Sequence, residues 1–463
     1  MVAALRNILY NLPEVKKPVE KKLGFNAKLK WTLIILAAFF ILANIDLYGL
    51  SSNALGNLEF LQVILASQFG SIISLGIGPI VMSSIILQLL VGSGILNIDT
   101  KSEEGKRYFQ GLQKIGVVFF IIFESIVYVM MGGLQAVPGL TGLLIFQLIL
   151  GGLAIMFMDE VVQKWGFGSG VSLFIVAGVS WSLFTGLFQF IGPAGGNCLL
   201  DFSNTACSGN ILVIIQSVIN GAPRDALSAV AAIAATAIIF LGVVWAQSLK
   251  VEIPLTYERI RGYAVKWPLA FFYSSVIPVI LVAALAANVQ LFGNLVQTWL
   301  GHPTFLGEFA QGRAVSGLAY WLSSTNIVDS IVRGSFQLTF LWQSIVHLLF
   351  YMIFSAIFAV FWVKTSGMDE SSQAKNILGS GLQLPGFRKD PRVIESILKR
   401  YIMPLTIMGG LAIGFLASVA NLLGALTGGT SILLAVMIMY QLYQSVAQQH
   451  AVDMHPALRK FMG

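Results

Sequence analysis

The sequence predicts an all-α, polytopic membrane protein with ten transmembrane helices, and three observations carry that expectation. Hydrophobic residues make up 56% of the 463-residue chain and charged residues only 11%, where a soluble domain carries about 25% charged residues. Apolar windows of about 20 residues, enough for a helix to cross a bilayer, recur along the whole chain. Finally, 25 of the 28 Lys and Arg fall on the two terminal segments and alternate connections between those windows.

Spans are expected near residues 31–47, 74–95, 113–131, 140–158, 170–190, 227–249, 269–288, 338–363, 402–423 and 431–447. Residues 1–30 are basic and lack the pattern of a cleavable signal, so the first span is expected to act as its own insertion signal. Between spans one and two lies NLEFLQVILASQFG (57–70), an apolar segment of roughly three helical turns, too short to cross. It leads into SIISLGIGPIVMSSIILQLL (71–90), which is apolar throughout but broken in its first turns by Gly76, Gly78 and Pro79. A short helix leading into a Gly/Pro-interrupted one reads as a re-entrant element. Backbone of that kind is tolerated at membrane depth only against protein or a water-filled cavity. A pathway is therefore expected there.

Charge sets the orientation. The basic side holds residues 1–30, the connections after spans two, four, six and eight, and the tail, whereas the opposite side keeps only Arg224, Arg313 and Arg333. By the positive-inside rule both termini are cytoplasmic, consistent with an even number of spans. Two cytoplasmic loops, 250–268 and 364–400, are notably basic. Composition alone fits contact with anionic lipid or docking of a polyanionic partner such as ribosomal RNA. The outer side carries connections 192–226 and 289–337. In the first, ILVIIQSVI is expected at the membrane interface. Cys198 and Cys207 in the same loop are either unrelated thiols or, if the loop is extracytoplasmic, a local disulfide. The expected organisation is a basic N-terminus (1–30), an N-terminal half (31–225), a C-terminal half (226–450) and a tail (451–463). Each half holds five spans, so a repeated half would be inverted in the membrane, a plan common among transport proteins.

Few polar groups lie inside the spans. Glu124, mid-span, is a functional candidate because a carboxyl at that depth is costly; the alternative is a protonated Glu bonded to a neighbouring helix. Asn288 is read as ending span seven, His347 as a satisfied packing histidine, and Gln88 and Gln147 as interhelical glue. No P-loop, HExxH, GxSxG or metal-binding cluster is present, so no enzyme, cofactor or metal is expected. An apolar-lined conduit is the better physical reading, since apolar constrictions seal by dewetting. A secondary transporter of a small solute, with its site near Glu124, is the rival class. A non-conducting scaffold is a third.

The runs LGIGPIVMSSIILQLLVGSGI, QKIGVVFFIIFESIVYVM, GFGSGVSLFIVAG, IPLTYERIRG, SSVIPVIL, PGFR…LKRYI and GGTSILLAVMIMYQ closely resemble the SecY family, large subunits of the Sec protein-translocation channel. VILAS, ESIVYVM and GSGVSLFI are similar to its archaeal and eukaryotic branch. The resemblance implies two inverted five-helix halves around an hourglass pore, with the short re-entrant helix as a plug over about 58–67 (Leu58, Phe60, Leu61, Val63, Ile64, Leu65). It places an apolar pore ring on Ile77, Val81, Val171, Ile175, Ile280 and Leu434. A lateral gate between spans two and three and spans seven and eight would use Met82, Glu124, Val276 and Asn288. The family often has Thr at the first of these positions and Asn at the third, so this seam is expected to be less polar and its hydrophobicity threshold for signal sequences altered. Arg259, Arg261 and Arg388 fall where the family docks ribosomes or a cytosolic motor. The resemblance also implies two small partners, SecE and a single-span third subunit, together with signal sequences, nascent chains and lipid as ligands of the channel.

Overall fold

The computed structural model describes residues 12–19, 23–57, 59–92, 94–96, 98, 102–192, 196–198, 200, 206–257, 264–274, 276–310, 313–379, 382–383 and 390–454. The first half runs α1 (Phe25–Ala43), β1 (Leu50–Asn53), α2 (Glu59–Ile64), α3 (Gly78–Gly92), α4 (Glu103–Met130), β2 (Leu134–Ala136), α5 (Thr141–Trp165) and α6 (Gly170–Phe188), followed by α7 (Asn210–Ile219). The second half opens with α8 (Pro223–Ser248), β3 (Lys250–Tyr257), β4 (Ala264–Ala270) and α9 (Ile277–Leu300). It continues through β5 (Glu308–Ala310), β6 (Arg313–Ser316), α10 (Gly317–Leu322), α11 (Ile327–Val332) and α12 (Leu338–Thr365). α13 (Glu370–Gly379), β7 (Leu382–Gln383), α14 (Pro391–Leu422) and α15 (Gly429–Met454) complete it.

Among the described residues nine helices are long and apolar enough to cross a membrane: α1, α4, α5, α6, α8, α9, α12, α14 and α15. The tenth expected span is α3, whose 15 residues reach only about 22 Å, short of the ~30 Å hydrocarbon core. Turns at 71–77 make up the remaining depth, because Gly76 sits at φ +53° and helical hydrogen bonding begins only at Gly78. Large apolar side chains such as Trp181, Phe184, Trp245 and Trp342 point outward and exposed, as bilayer solvation allows. α9 is the exception: 72% of its apolar window is buried, which places it at the centre.

Within the first half α3 packs on α4, α4 on α5 and α5 on α1; within the second, α12 packs on α14 and α9, and α15 on α8 and α14. The α12–α14 approach is close because Gly410 and Gly414 face the α12 backbone, where an added Cβ would come within 2.8 Å of Ala356 Cα and 2.5 Å of the Tyr351 oxygen. Small residues serve helix contacts in this way where apolar burial gives little drive. The halves meet along two seams, α6 on α15 and α3 on α9 and α12, while α2 sits against α6 and α9.

Several expectations shift. Span seven does not begin at Leu269, which pairs with Val251 in the β3–β4 hairpin; the helix starts beside Pro278 and runs on to Leu300. Asn288 is therefore mid-helix. The segment 57–70 holds a helix of only 6 residues, not three turns, because the chain turns at Leu65 and Ala66 and Ala66 takes a positive φ of 45°. Span nine begins earlier, at Pro391 behind the capping Asp390, and the last helix passes residue 450 to reach Met454. ILVIIQSVI forms α7, which buries only Ser217 and leaves Ile215, Val218 and Ile219 exposed. Cys198 and Cys207 are joined, with Sγ–Sγ 2.02 Å.

Candidate functional site

Four helices pack in a chain, α3 on α9, α9 on α15 and α15 on α6, and the aliphatic residues singled out from sequence lie at their first turns. Ile77 and Val81 flank the start of α3, Val171 and Ile175 lie in the first two turns of α6, Ile280 in the first turn of α9 and Leu434 in the second turn of α15. Ile77, Val81, Ile175, Ile280 and Leu434 are buried in a single apolar cluster, and Val171 packs against it. Local sequence explains each start. Pro79 and Pro278 occupy first-turn positions, where a missing N–H costs nothing, and Gly170 and Gly429 press against neighbouring backbone. An added Cβ would lie 2.5 Å from Asp159 Cα at the first and 1.8 Å from the Ala420 carbonyl carbon at the second.

The short α2 closes onto this cluster. Leu61, Ile64 and Leu65 are buried and Val63 partly so; Leu58 and the Phe60 side chain lie outside the described residues. The Ile77 N–H donates to the Leu65 carbonyl at 2.8 Å, tying the end of α2 to the start of α3. Gly76 is obligatory there, because a Cβ would stand 2.2 Å from that same oxygen.

The four polar-seam positions are distributed along α3, α4 and α9. Glu124, on α4, is fully buried, and neither carboxyl oxygen has a hydrogen-bond partner among the described residues. It faces Gly78, where a Cβ would lie 3.2 Å from Oε2. Asn288 is buried and donates back to the Ala284 carbonyl at 2.8 Å. Val276 is 1% exposed within the apolar cluster and Met82 packs against it. Across the seam Phe123 meets Phe292 with ring centroids 6.4 Å apart, and Gly92 lies against the Phe361 ring. The contact between α3–α4 and α9–α12 is thus apolar.

Other predicted positions sort as follows. His347 is satisfied: its Nδ1–H donates to the Leu322 carbonyl at 2.7 Å, leaving Nε2 to accept from Asn421 Nδ2 at 3.2 Å. Gln147 exchanges two 3.0 Å hydrogen bonds with the Tyr48 backbone, so it binds a loop rather than another helix. Arg259, Arg261 and Arg388 lie outside the described residues. The two basic loops that carry them share a sheet of order β4-β3-β7, with Tyr257 paired to Leu382. Sequence reading passed over Asp159 and Asn421. Asp159 Oδ1 accepts from the Val171 N–H at 3.0 Å and Asn421 Oδ1 from the Thr430 N–H at 2.8 Å. The one signal was a polar residue shortly before Gly-x-Ser.

Comparison with known proteins converges on one family. A SecY profile matches residues 71–443, and one for the plug domain of Sec61p matches 38–70. Curated relatives named protein translocase subunit SecY include that of Methanothermobacter thermautotrophicus, 43% identical over 98% of this chain and 97% of its own. That of Methanocaldococcus jannaschii is 41% identical over 98% of both. Among solved structures, one described as a protein conducting channel superposes with TM-score 0.81 at 40% identity, over 97% of this chain and 98% of its own. Sec61 in the canine ribosome-channel complex from the endoplasmic reticulum gives 0.78 at 40%, over the same shares.

Proposed function

Because this chain belongs to the SecY family, we propose that the six aliphatic side chains at those helix starts are the seal of a protein-conducting channel. The channel passes secretory polypeptides across the membrane and releases membrane segments sideways into lipid. The observation that carries the reading is that these six aliphatic residues lie at the first turns of four helices that pack in a chain, with five buried in the central apolar core and Val171 packed against it. An aliphatic constriction excludes ions by dewetting and yields to a chain that pushes the side chains apart. α2 acts as the plug, held by the backbone hydrogen bond from Ile77 to Leu65 and by buried leucine and isoleucine.

The exit into lipid is the seam of α3 and α4 against α9 and α12. Its packing is apolar around Val276 and Met82, and Glu124 has no hydrogen-bond partner among the described residues. Both termini lie on the cytoplasmic side, as the charge distribution requires. The protein has no nucleotide motif and draws energy from a partner. Arg259, Arg261 and Arg388 are assigned to docking of a ribosome or cytosolic motor, in keeping with the ribosome complexes in which related channels have been seen. SecE and a small third subunit complete a heterotrimer.

The test is a photocrosslink. Photoreactive residues are placed at Ile77 and Ile175, and at Phe146 and Leu150 on the exposed face of α5. A secretory chain is then stalled in vesicles carrying the complex. Crosslinks to the chain are expected from 77 and 175 alone, although both positions are buried at rest. Competent transport without them would move the conduit elsewhere.

A further inference from the structure

The two halves show no obvious sequence identity, yet the structure aligns them at the helix starts. Aligned on Gly170 and Gly429, GVSLFI and GTSILL share Gly-x-Ser followed by three apolar residues, and Ile175 and Leu434 both fall five positions after the glycine. Aligned on Pro79 and Pro278, Val81 and Ile280 both fall two positions after the proline. The supporting contacts match as well. In each half the preceding long helix sends one buried side-chain oxygen to the N–H of the residue after the glycine: Asp159 from α5 to Val171, and Asn421 from α14 to Thr430. Asp159 is 8% and Asn421 5% exposed. Each is steadied from behind, Asp159 Oδ2 by Gln163 Nε2 at 2.8 Å and Asn421 by His347, which also holds the end of α10.

We propose that Asp159 and Asn421 are a matched pair of positioning residues that fix the starts of α6 and α15, so that Ile175 and Leu434 reach the seal at one depth. This rests on the seal reading above. The α5–α6 turn lies on the cytoplasmic side and the α14–α15 turn on the outer side, so the two caps act from opposite faces. Five residues from each glycine is about 7.5 Å of helix, the same advance from either direction. Equal advances from opposite sides place the two side chains equivalently relative to their own caps, and a slip of either start by one residue rotates its side chain by about 100° and moves it about 1.5 Å. A cap is suited to this task because it binds one particular N–H and so specifies register.

The test uses the full complex in planar bilayers, measuring resting ion conductance, with hydrogen exchange of peptides covering 168–176 and 427–435. Asp159→Ala and Asn421→Ala are expected to speed exchange at their own helix start only. Each should raise resting conductance about fivefold, the population shift that loss of one cap produces. Asp159→Asn, which keeps an acceptor oxygen, is expected to restore the seal. Asp159→Glu, which keeps the charge but is one methylene longer, is expected to leak; it also serves if the alanine variant fails to assemble. Ile175→Gly and Leu434→Gly run in parallel. If these leak and the cap variants stay tight despite faster exchange, the positioning role is wrong and the seal stands. If Ile175→Gly and Leu434→Gly do not leak, the seal reading itself falls.

Discussion

Asn288 and Glu124 show two ways a polar side chain is kept at membrane depth. Asn288 returns its amide hydrogen to its own helix at Ala284, whereas Glu124 faces a bare glycine with no partner among the described residues. The sequence identified both as uncommon residues in apolar runs. Their surroundings were not legible, because they are set by residues on other helices. Outside the membrane, Asp329 behaves as an ordinary paired carboxylate. Burial pushes it up, but hydrogen bonds from Ser228 and Arg333 and the charges of Arg333 and Arg313 outweigh this and hold it below its usual value. A carboxyl depressed in the folded state contributes stability above its unfolded pKa and loses it as pH falls through the folded value. Asp329→Asn should therefore lower the thermal midpoint at neutral pH, and the gap to wild type should close below the carboxylate range. With about a third of the side chain exposed, the effect is small. A gap that persists in acid would assign it to lost packing.

At the level of elements, the starts of α3, α6, α9 and α15 carry the residues proposed as the seal, and glycine and proline decide where they lie. Those punctuators were readable in advance: Gly76, Gly78 and Pro79 do break the stretch 71–90. The start of α9 was not, because Leu269 and its neighbours are as apolar as a helix and only pairing with Val251 makes them a strand. Glycines also differ by context. Gly429 meets the Ala420 backbone at 1.8 Å from where a Cβ would be, whereas Gly242 in α8 has nothing within 4 Å. Gly429→Ala should cost about 1–3 kcal/mol by overpacking and Gly242→Ala should gain about 0.5–1 kcal/mol from helix propensity. Thermal unfolding of the purified complex measures both, and equal effects would remove the steric account.

For the molecule as a whole, the two halves touch along two seams of different character. The α6–α15 seam joins the two Gly-x-Ser helices, and the α3/α4–α9/α12 seam is apolar, with Phe123 against Phe292. If the second seam opens to lipid, its apolar closure sets how hydrophobic a signal sequence must be to part it. Met82→Thr with Val276→Asn is expected to make the seam more polar and to shift the insertion threshold of a graded signal series. An unchanged threshold would show that opening does not depend on these positions. The membrane itself accounts for the long exposed apolar faces of α8 and α12, which no soluble fold would leave bare.

Resemblance to the SecY family supplied the aliphatic positions of the proposed seal, and the amino-acid sequence by itself determined the run of apolar segments, the orientation expected from charge and the broken stretch beside a short helix. Each of these is local: length against bilayer thickness, charge against the membrane face, glycine and proline against helix geometry. Tertiary structure alone decided where span seven begins, how short α2 is, that Glu124 has no partner among the described residues, and that Asp159 and Asn421 cap matching helix starts. These depend on which backbone another segment brings alongside, and such long-range neighbours leave no periodic trace in the chain.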